Sequence, residues 1–273
     1  MTHGNGRLRR SRKHRQGTEV LCELVFRPLA HLVVLALAPL RVPPPAVVLA
    51  ATGTGLGAAL ALARGHLLVA AILLQLKTVL DNADGQLARL TGRITVLGRY
   101  LDSESDLLVD AALLAALGYV TAEHGLAALG FVVLTLVLAV NFNVERLYRR
   151  ERGDLSDPMP PATGVARVLE RIYGVVYAPQ DRLVERFAER RLERAGADPD
   201  RRLAYHDAWT VGAIANFGLS TQMAALGLCL AAGRPAAYPW LVLGCGAAVV
   251  ALLARRELSL RRSAPATLSV YEK

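Results

Sequence analysis

The sequence contains few cysteine and aromatic residues. Among its 273 residues there are three cysteines, Cys22, Cys229 and Cys245, and 5% of all positions are aromatic. The cysteines lack metal-binding spacing, and we expect them to be reduced, buried apolar side chains. The basic stretch at 1–17 has no aromatic residues among its charges, and this argues against a nucleic-acid partner despite a formal net charge of +9.

Hydrophobic residues make up 53% of the chain, and they are gathered into long runs. Runs of about 20 predominantly apolar residues are long enough to cross a bilayer as helices. We therefore predict an all-α integral membrane protein with the bilayer as its surroundings. Its core is a bundle of six transmembrane helices, with an N-terminal amphipathic helix and a helical cytosolic insertion between helices 4 and 5.

The order of apolar and polar stretches divides the chain into six parts. We predict a basic disordered tail at 1–17, a juxtamembrane amphipathic helix at 18–41, the catalytic transmembrane helices 1–4 at 42–145, a cytosolic helical insertion at 146–206, transmembrane helices 5 and 6 at 207–257, and a cytosolic tail at 258–273. In the insertion, apolar residues recur at helical spacing and Pro179 interrupts them, which predicts two cytosolic helices.

The basic residues predict the orientation of the bundle. With a cytosolic N-terminus, the loops assigned to the outside contain only Arg64 and Arg234 as basic residues, in agreement with the positive-inside rule. We therefore expect both termini and the acidic motif described next to face the cytosol, in a membrane of the bacterial inner or plasma type.

An acidic motif runs from Asp81 to Asp106 with the pattern D-x-x-D-G-x-x-A-R-x8-G-x3-D-x3-D. Asp81 and Asp84 share one helix face, and so do Asp102 and Asp106. Carboxylates beside membrane spans are costly and usually functional. Lys77 lies one turn before Asp81, and two interpretations stay open: an ion pair inside the protein, or a lysine that extends to the membrane surface.

Four neighbouring carboxylates repel one another unless cations lie between them. Mg²⁺ and Mn²⁺ prefer oxygen ligands and are held jointly by carboxylates and substrate phosphates, so the motif predicts a site for two divalent metals. Gly85, Ala88 and Gly98 keep the helix faces small, and Arg89 offers donors to a phosphate. The alternative is a network of Asp and Arg residues that only caps helix ends.

This motif resembles the complete motif of the CDP-alcohol phosphatidyltransferase family, also called class I CDP-alcohol phosphotransferases. The resemblance implies homodimers of six-helix subunits that use two divalent metals. It also implies transfer of a phospho-alcohol group from a CDP-alcohol such as CDP-diacylglycerol to an acceptor hydroxyl, with release of CMP, in phospholipid biosynthesis. By the same resemblance, Asp106 is a metal ligand and the catalytic base. The other implied roles are metal binding by Asp81, Asp84 and Asp102, and nucleotide binding by Asp81, Asp84, Gly85, Ala88, Arg89, Gly98 and Asp102.

The chain departs from the family pattern at two places. The entry to the first span, PPPAVVLA, lacks the hydroxyl residue of many relatives, and Thr52 is the nearest substitute. The polar segment at 146–206 is also longer than the family's connection. It either gates the site, contacts the acceptor, binds a partner or covers the surface passively.

Four arginines at the predicted cytosolic boundary are candidates for binding an acceptor phosphate: Arg93, Arg99, Arg146 and Arg149. Their alternative role is anchoring at the membrane surface. They favour a polyol phosphate as acceptor, such as glycerol 3-phosphate or inositol phosphate. Two other functions stay open: a membrane protein that binds or transports divalent cations through the same carboxylates, and an inactive scaffold with the family fold.

Overall fold

The computed structural model describes residues 17–154 and 160–262, with side chains up to residue 260. All secondary structure in these ranges is helical, and this confirms the predicted all-α class. The predicted N-terminal tail lies outside the described residues except for Gly17, and so does most of the predicted C-terminal tail.

Ten α-helices follow one another along the described residues. A π-helical turn, Cys22–Phe26, leads into the first. They are α1 (Arg27–Leu37), α2 (Pro44–Ala63), α3 (Leu67–Thr91), α4 (Val96–Thr121), α5 (His124–Glu151), α6 (Val165–Arg194), α7 (Pro199–Tyr205), α8 (Ala208–Ala215), α9 (Leu219–Ala231) and α10 (Ala237–Arg262).

Helix α2 packs against both α3 and α4. Gly55 makes this close approach possible, because a Cβ atom at that position would lie 2.6 Å from Cγ1 of Val109 on α4. Gly53, on the same helix, faces open space. The main hydrophobic core continues from α2, α3 and α4 into α5, α9 and α10, with Leu113 and Tyr238 fully buried. Helix α2 thus separates the two helices that carry the acidic motif.

Four segments of the described residues are long and apolar enough to cross a membrane. They are Pro44–Ala63, His124–Glu151, Pro199–Ala231 and Ala237–Leu260. The structure therefore supports a membrane protein, whereas the predicted count of six spans is not established by it. Helices α3 and α4, which we predicted to hold spans 2 and 3, carry the charged motif and are not among these segments.

Transmembrane helix 5, predicted in the first half of 207–257, contains a break between α8 and α9. Asn216 lies at this break and accepts a hydrogen bond from the backbone N–H of Val20 at 3.0 Å. Its side-chain amide also donates to the carbonyl of Thr18 at 3.3 Å. The N-terminal segment therefore supplies polar partners where the helix is interrupted.

The prediction that Pro179 divides the insertion into two helices is wrong. Helix α6 continues through Pro179 from Val165 to Arg194. A proline inside a helix loses one backbone hydrogen bond, but packing on both sides of it can hold the chain helical. Here Tyr177 contacts α4 before the proline, and Ala188 belongs to a core shared with α5, α7 and α10 after it.

The turn between α3 and α4 orients the two halves of the motif. Gly92 ends α3 in the left-handed conformation with φ +66°, which glycine adopts without strain. Thr95 begins α4 as its N-cap, and its hydroxyl accepts the backbone N–H of Gly98 at 3.0 Å. A Cβ at position 98 would lie 3.1 Å from that hydroxyl, so the glycine of the motif leaves room for the cap.

Candidate active site

Three motif carboxylates meet at one end of the helix bundle. Asp81 lies on α3, whereas Asp102 and Asp106 lie one turn apart on α4. One carboxylate oxygen from each residue lies within 4.8 Å of the other two. The turn at Gly92–Thr95 thus brings Asp102 and Asp106 close to Asp81, which lies 21 and 25 positions before them in sequence.

Lys77 lies beneath this cluster and is almost fully buried, with 2% of its surface exposed. Its Nζ donates a hydrogen bond to Oδ1 of Asp81 at 3.0 Å and a second one to Oδ1 of Asp106. Of the two interpretations left open for Lys77, the structure supports the internal ion pair. The lysine neutralises part of the charge of the three carboxylates.

Asp84, the fourth carboxylate of the motif, is not part of this three-residue set. It is buried at 6% exposure, and its Oδ2 has no hydrogen-bond partner among the described residues. Asp110 lies one turn beyond Asp106 and is buried in the same way. Buried carboxylate oxygens without a donor are costly, so each of them marks a place where a cation or a ligand would be favourable.

The cluster lies in a cavity of about 380 Å³ that six of the eight motif positions line. These are Asp81, Asp84, Gly85, Arg89, Asp102 and Asp106. Ala88 and Gly98 are not among the lining residues. Thr52 does not line the cavity either, and its hydroxyl donates to the carbonyl of Val48 on its own helix at 2.8 Å.

Only one of the four acceptor-phosphate candidates, Arg99, lines the cavity. Arg146 pairs with Glu185 on α6 at 3.4 Å, and Arg149 pairs with Asp154 at 2.7 Å. Arg93 is exposed in the turn before α4. Of these arginines, Arg99 thus lines the cavity, Arg146 connects α5 to α6, and Arg149 pairs within its own segment.

Segments far from the motif close the cavity on two sides, and sequence reasoning did not assign them to the site. On one side lie Glu19 and Cys22, whose Sγ donates to Oδ1 of Asn82 at 3.1 Å. On the other side lie Tyr173, Tyr177 and Asp181 of α6. The regular spacing of these last three residues in a polar helix was the available signal, because positions four apart share one face.

Burial affects the two tyrosines of α6 strongly. It raises the pKa of Tyr173 to about 12, with a further contribution from the nearby carboxylate of Asp181. It also raises the pKa of Tyr177 far above its usual value, and the charge of Asp106 adds to this effect. Both phenols are therefore protonated at neutral pH and act as hydrogen-bond donors at the edge of the carboxylate cluster.

The donor set fits a hard divalent cation. All ligand atoms offered by Asp81, Asp102 and Asp106 are carboxylate oxygens, the kind that Mg²⁺ and Mn²⁺ bind in preference to nitrogen or sulfur. The cavity also has room beyond the cluster for a phosphorylated ligand. The site can thus hold a cation and place a phosphate next to it.

Apolar helices that can cross a bilayer, with a carboxylate cluster in a cavity between them, define a membrane protein with a candidate metal-dependent site. Residues 40–169 match the sequence model of the CDP-alcohol phosphatidyltransferase family. By sequence, residues 40–169 are therefore a CDP-alcohol phosphatidyltransferase domain, as the motif indicated. The matched range contains every motif position and extends to the beginning of α6.

Three proteins of known name are similar to parts of the chain. The bifunctional IPC transferase and DIPP synthase of Thermococcus kodakarensis is 41% identical over 29% of this chain and 18% of its own length. The archaetidylinositol phosphate synthase of Pyrococcus horikoshii is 35% identical over 38% of this chain and 52% of its own length. The phosphatidylinositol phosphate synthase of Corynebacterium glutamicum is 33% identical over 49% of this chain and 59% of its own length.

The chain thus spans about half of two of these relatives and less than a fifth of the third. No solved structure matches the chain significantly.

Proposed function

We propose that this protein transfers the phospho-alcohol group of a CDP-alcohol, such as CDP-diacylglycerol, to a hydroxyl of a polyol phosphate and releases CMP. The observation that carries the proposal is the convergence of the Asp81, Asp102 and Asp106 carboxylates in a cavity of the family domain. This set of oxygens beside a space for phosphates suits phosphoryl transfer, in which positioning and charge stabilisation supply most of the catalysis.

In the proposed reaction, the acceptor hydroxyl attacks the phosphorus atom that carries the alcohol of the donor. A new phosphorus–oxygen bond forms as the bond to CMP breaks, and CMP leaves with the bridging oxygen. Asp106 accepts the proton of the attacking hydroxyl, and its ion pair with Lys77 holds its carboxylate in place. Arg89, which lines the same cavity, supports the negative charge of the nucleotide phosphates.

We propose two divalent cations, Mg²⁺ or Mn²⁺, as cofactors. Asp81, Asp102 and Asp106 would hold one, and the buried Oδ2 of Asp84 supports a second next to it. When bound, such cations stabilise the charge on the attacking and leaving oxygens. Asp84 and Asp102 would thereby also contact the phosphates of the nucleotide, together with the small residue Gly85.

The acceptor is most simply an inositol phosphate. Two of the similar proteins are named archaetidylinositol phosphate synthase and phosphatidylinositol phosphate synthase, although the chain covers only part of each. Arg99 lines the cavity and offers a guanidinium to an acceptor phosphate. Glycerol 3-phosphate also carries a phosphate group, so it is the acceptor to compare with inositol phosphate.

The test is CMP release by the purified protein in detergent or nanodiscs with Mg²⁺ or Mn²⁺ and CDP-diacylglycerol. The acceptor panel contains inositol phosphate, glycerol 3-phosphate, inositol and serine. Asp106→Asn is expected to lower the rate at least about 100-fold, because a general base contributes 10²–10⁴-fold. Glu104→Gln, on the same helix but not on the cavity wall, is the matched control and should retain the activity.

Release of CMP that requires both the metal and one acceptor would support the proposal. Metal binding without CMP release from any CDP-alcohol would instead favour the cation-binding alternative. Equal activity of the Asp106 and Glu104 variants would contradict the assignment of the base.

A further inference from the structure

The insertion helix α6 carries three polar residues on the face that meets the carboxylate cavity. Tyr173, Tyr177 and Asp181 are spaced four residues apart, and all three line the cavity. Helix α6 packs against α4, which carries Asp102 and Asp106, and against α5. The segment that departs most from the family pattern therefore forms one wall of the candidate active site.

Hydrogen bonds fix the orientation of the Asp181 carboxylate. Its Oδ1 accepts from Nδ2 of Asn143 on α5 at 2.6 Å, and its Oδ2 accepts from the hydroxyl of Tyr173 at 3.0 Å. Asn143 is fully buried. Each carboxylate oxygen can accept more than one hydrogen bond, so Asp181 keeps acceptor capacity toward the cavity.

The two tyrosines are held just as firmly. The hydroxyl of Tyr177 donates to the backbone carbonyl of Ser103 at 3.1 Å, next to Asp102. The ring of Tyr173 lies between those of Tyr177 and Tyr100, with centroids 5.1 Å and 5.6 Å away. A rigid wall of this kind loses little conformational entropy when a ligand binds to it.

Ion pairs tie α6 to the rest of the bundle. Arg150 of α5 pairs with Glu185 at 2.5 Å and also with Glu189. Arg202 of α7 pairs with Glu189 at 2.9 Å and with Glu151 of α5 at 2.9 Å. These pairs anchor α6 beyond Asp181, so its polar face stays aligned with the cavity.

The chemistry of this wall selects for hydroxyl groups. The hydroxyl of Tyr173 already donates to Asp181 and that of Tyr177 to Ser103, so the carboxylate and phenol oxygens of this wall act toward a ligand as acceptors of hydrogen bonds from its hydroxyls. A phosphate is disfavoured beside the Asp181 carboxylate because the two charges repel, whereas Arg99, which also lines the cavity, favours it. A ligand with several hydroxyls and one phosphate would satisfy both parts of the cavity.

We propose that Tyr173, Tyr177 and Asp181 of α6 bind the hydroxyl groups of a polyhydroxylated acceptor and so determine which acceptor the protein uses. The inference rests on the proposed transferase function and assigns the insertion a role in acceptor selection. It requires only that the acceptor lie between α6 and the carboxylate cluster.

The experiment compares the wild-type protein with Tyr173→Phe and Asp181→Asn. Steady-state rates of CMP release give the KM for inositol phosphate, for glycerol 3-phosphate and for CDP-diacylglycerol. We expect the KM for inositol phosphate to rise about tenfold or more, which corresponds to the loss of about one good hydrogen bond. The KM for CDP-diacylglycerol should change less than twofold.

Tyr100→Phe is the matched control. It removes a phenol hydroxyl from the same aromatic group, but Tyr100 does not line the cavity and its hydroxyl contacts Glu170 at 3.4 Å. It should leave all three KM values unchanged. In the α6 variants, equal increases in the KM values for inositol phosphate and CDP-diacylglycerol, or a loss of kcat alone, would show that the wall has only a structural role and would overturn the proposal.

A binding measurement separates this proposal from the transferase function. Titration calorimetry with inositol phosphate and with inorganic phosphate, in Mg²⁺ and without donor, reports acceptor binding whether or not CMP is released. We expect Asp181→Asn to weaken inositol phosphate binding about tenfold and to leave phosphate binding unchanged. Unchanged inositol phosphate binding in the variant, or none in the wild-type protein, would overturn the proposal even if the transferase function holds.

Discussion

Lys77 is the residue on which the carboxylate cluster depends when no divalent cation is present. Its ammonium group contacts Asp81 and Asp106, and both carboxylates are about a fifth exposed. Removing one partner of a buried ion pair leaves the other charge without compensation. At this position three carboxylates within 4.8 Å of one another would then repel.

We expect Lys77→Met to destabilise the metal-free protein by about 2–3 kcal/mol, somewhat below the cost of breaking a fully buried pair. Divalent cations should reduce this loss, because they replace the missing positive charge. Thermal unfolding in detergent with EDTA and with Mg²⁺ measures both effects. Lys77→Arg, which keeps the charge, is the control, and a variant whose stability is the same in EDTA and in Mg²⁺ would contradict this account of the site.

At the scale of elements, the beginning of α9 illustrates how distant segments replace a local cap. Gly218 is the N-cap of α9, and it has no side chain that could accept hydrogen bonds from the backbone N–H groups of the first turn. Glu19 caps the helix instead. Its Oε1 accepts hydrogen bonds from the backbone N–H of Thr221 at 2.6 Å and from the Thr221 hydroxyl at 2.8 Å. A Cβ at Gly218 would lie 2.7 Å from Oε2 of Glu19, so glycine makes room for this cap.

We expect Glu19→Ala to destabilise the protein by about 1–2 kcal/mol, the usual cost of a lost N-cap. Glu19→Gln keeps an amide oxygen as acceptor and should cost less than half as much. Chemical or thermal unfolding of the two variants in the same detergent checks the difference. If the two substitutions cost the same, the hydrogen bond to Thr221 is not what stabilises α9.

Local patterns in the sequence predicted the helices and the carboxylate site, but not the distant segments that complete the cavity wall. The apolar runs predicted most helices, and the spacing of the four motif aspartates predicted a shared carboxylate cluster, of which the structure groups Asp81, Asp102 and Asp106. Glu19 and Thr221 are 202 positions apart, and no local pattern connects them. The continuity of α6 through Pro179 likewise depends on tertiary packing, which outweighs the local preference of proline to end a helix.

The whole molecule places its charges unequally along the bundle. The loop between α2 and α3 contains Arg64 and His66, whereas α5, α6 and α7 carry many of the arginines of the chain, and α5 and α6 contribute to the cavity wall. By the positive-inside rule, we propose that α6 and the carboxylate cavity face the cytosol and that the α2–α3 loop faces the other side.

Labelling of introduced cysteines tests this orientation. The native Cys22 and Cys229 are buried, so a variant with Cys245 removed provides the background. His66 and Val175 are both exposed, the latter at 76%. We expect His66→Cys to react with an impermeant thiol reagent in intact cells or spheroplasts, and Val175→Cys to react only after permeabilisation. The reverse pattern would place the cavity on the outer side.

The central claim is that the cavity transfers a phospho-alcohol group, and the most direct measurement follows the phosphorus atom itself. CDP-diacylglycerol carrying ³²P on the phosphate next to the lipid is incubated with the protein, Mg²⁺ and inositol phosphate. We expect the label in a lipid that contains the acceptor, unlabelled CMP in equal amount, and no transfer by Asp106→Asn. Label that stays in the donor with every CDP-alcohol tested, or that appears only as the hydrolysed lipid phosphate, would contradict the claim.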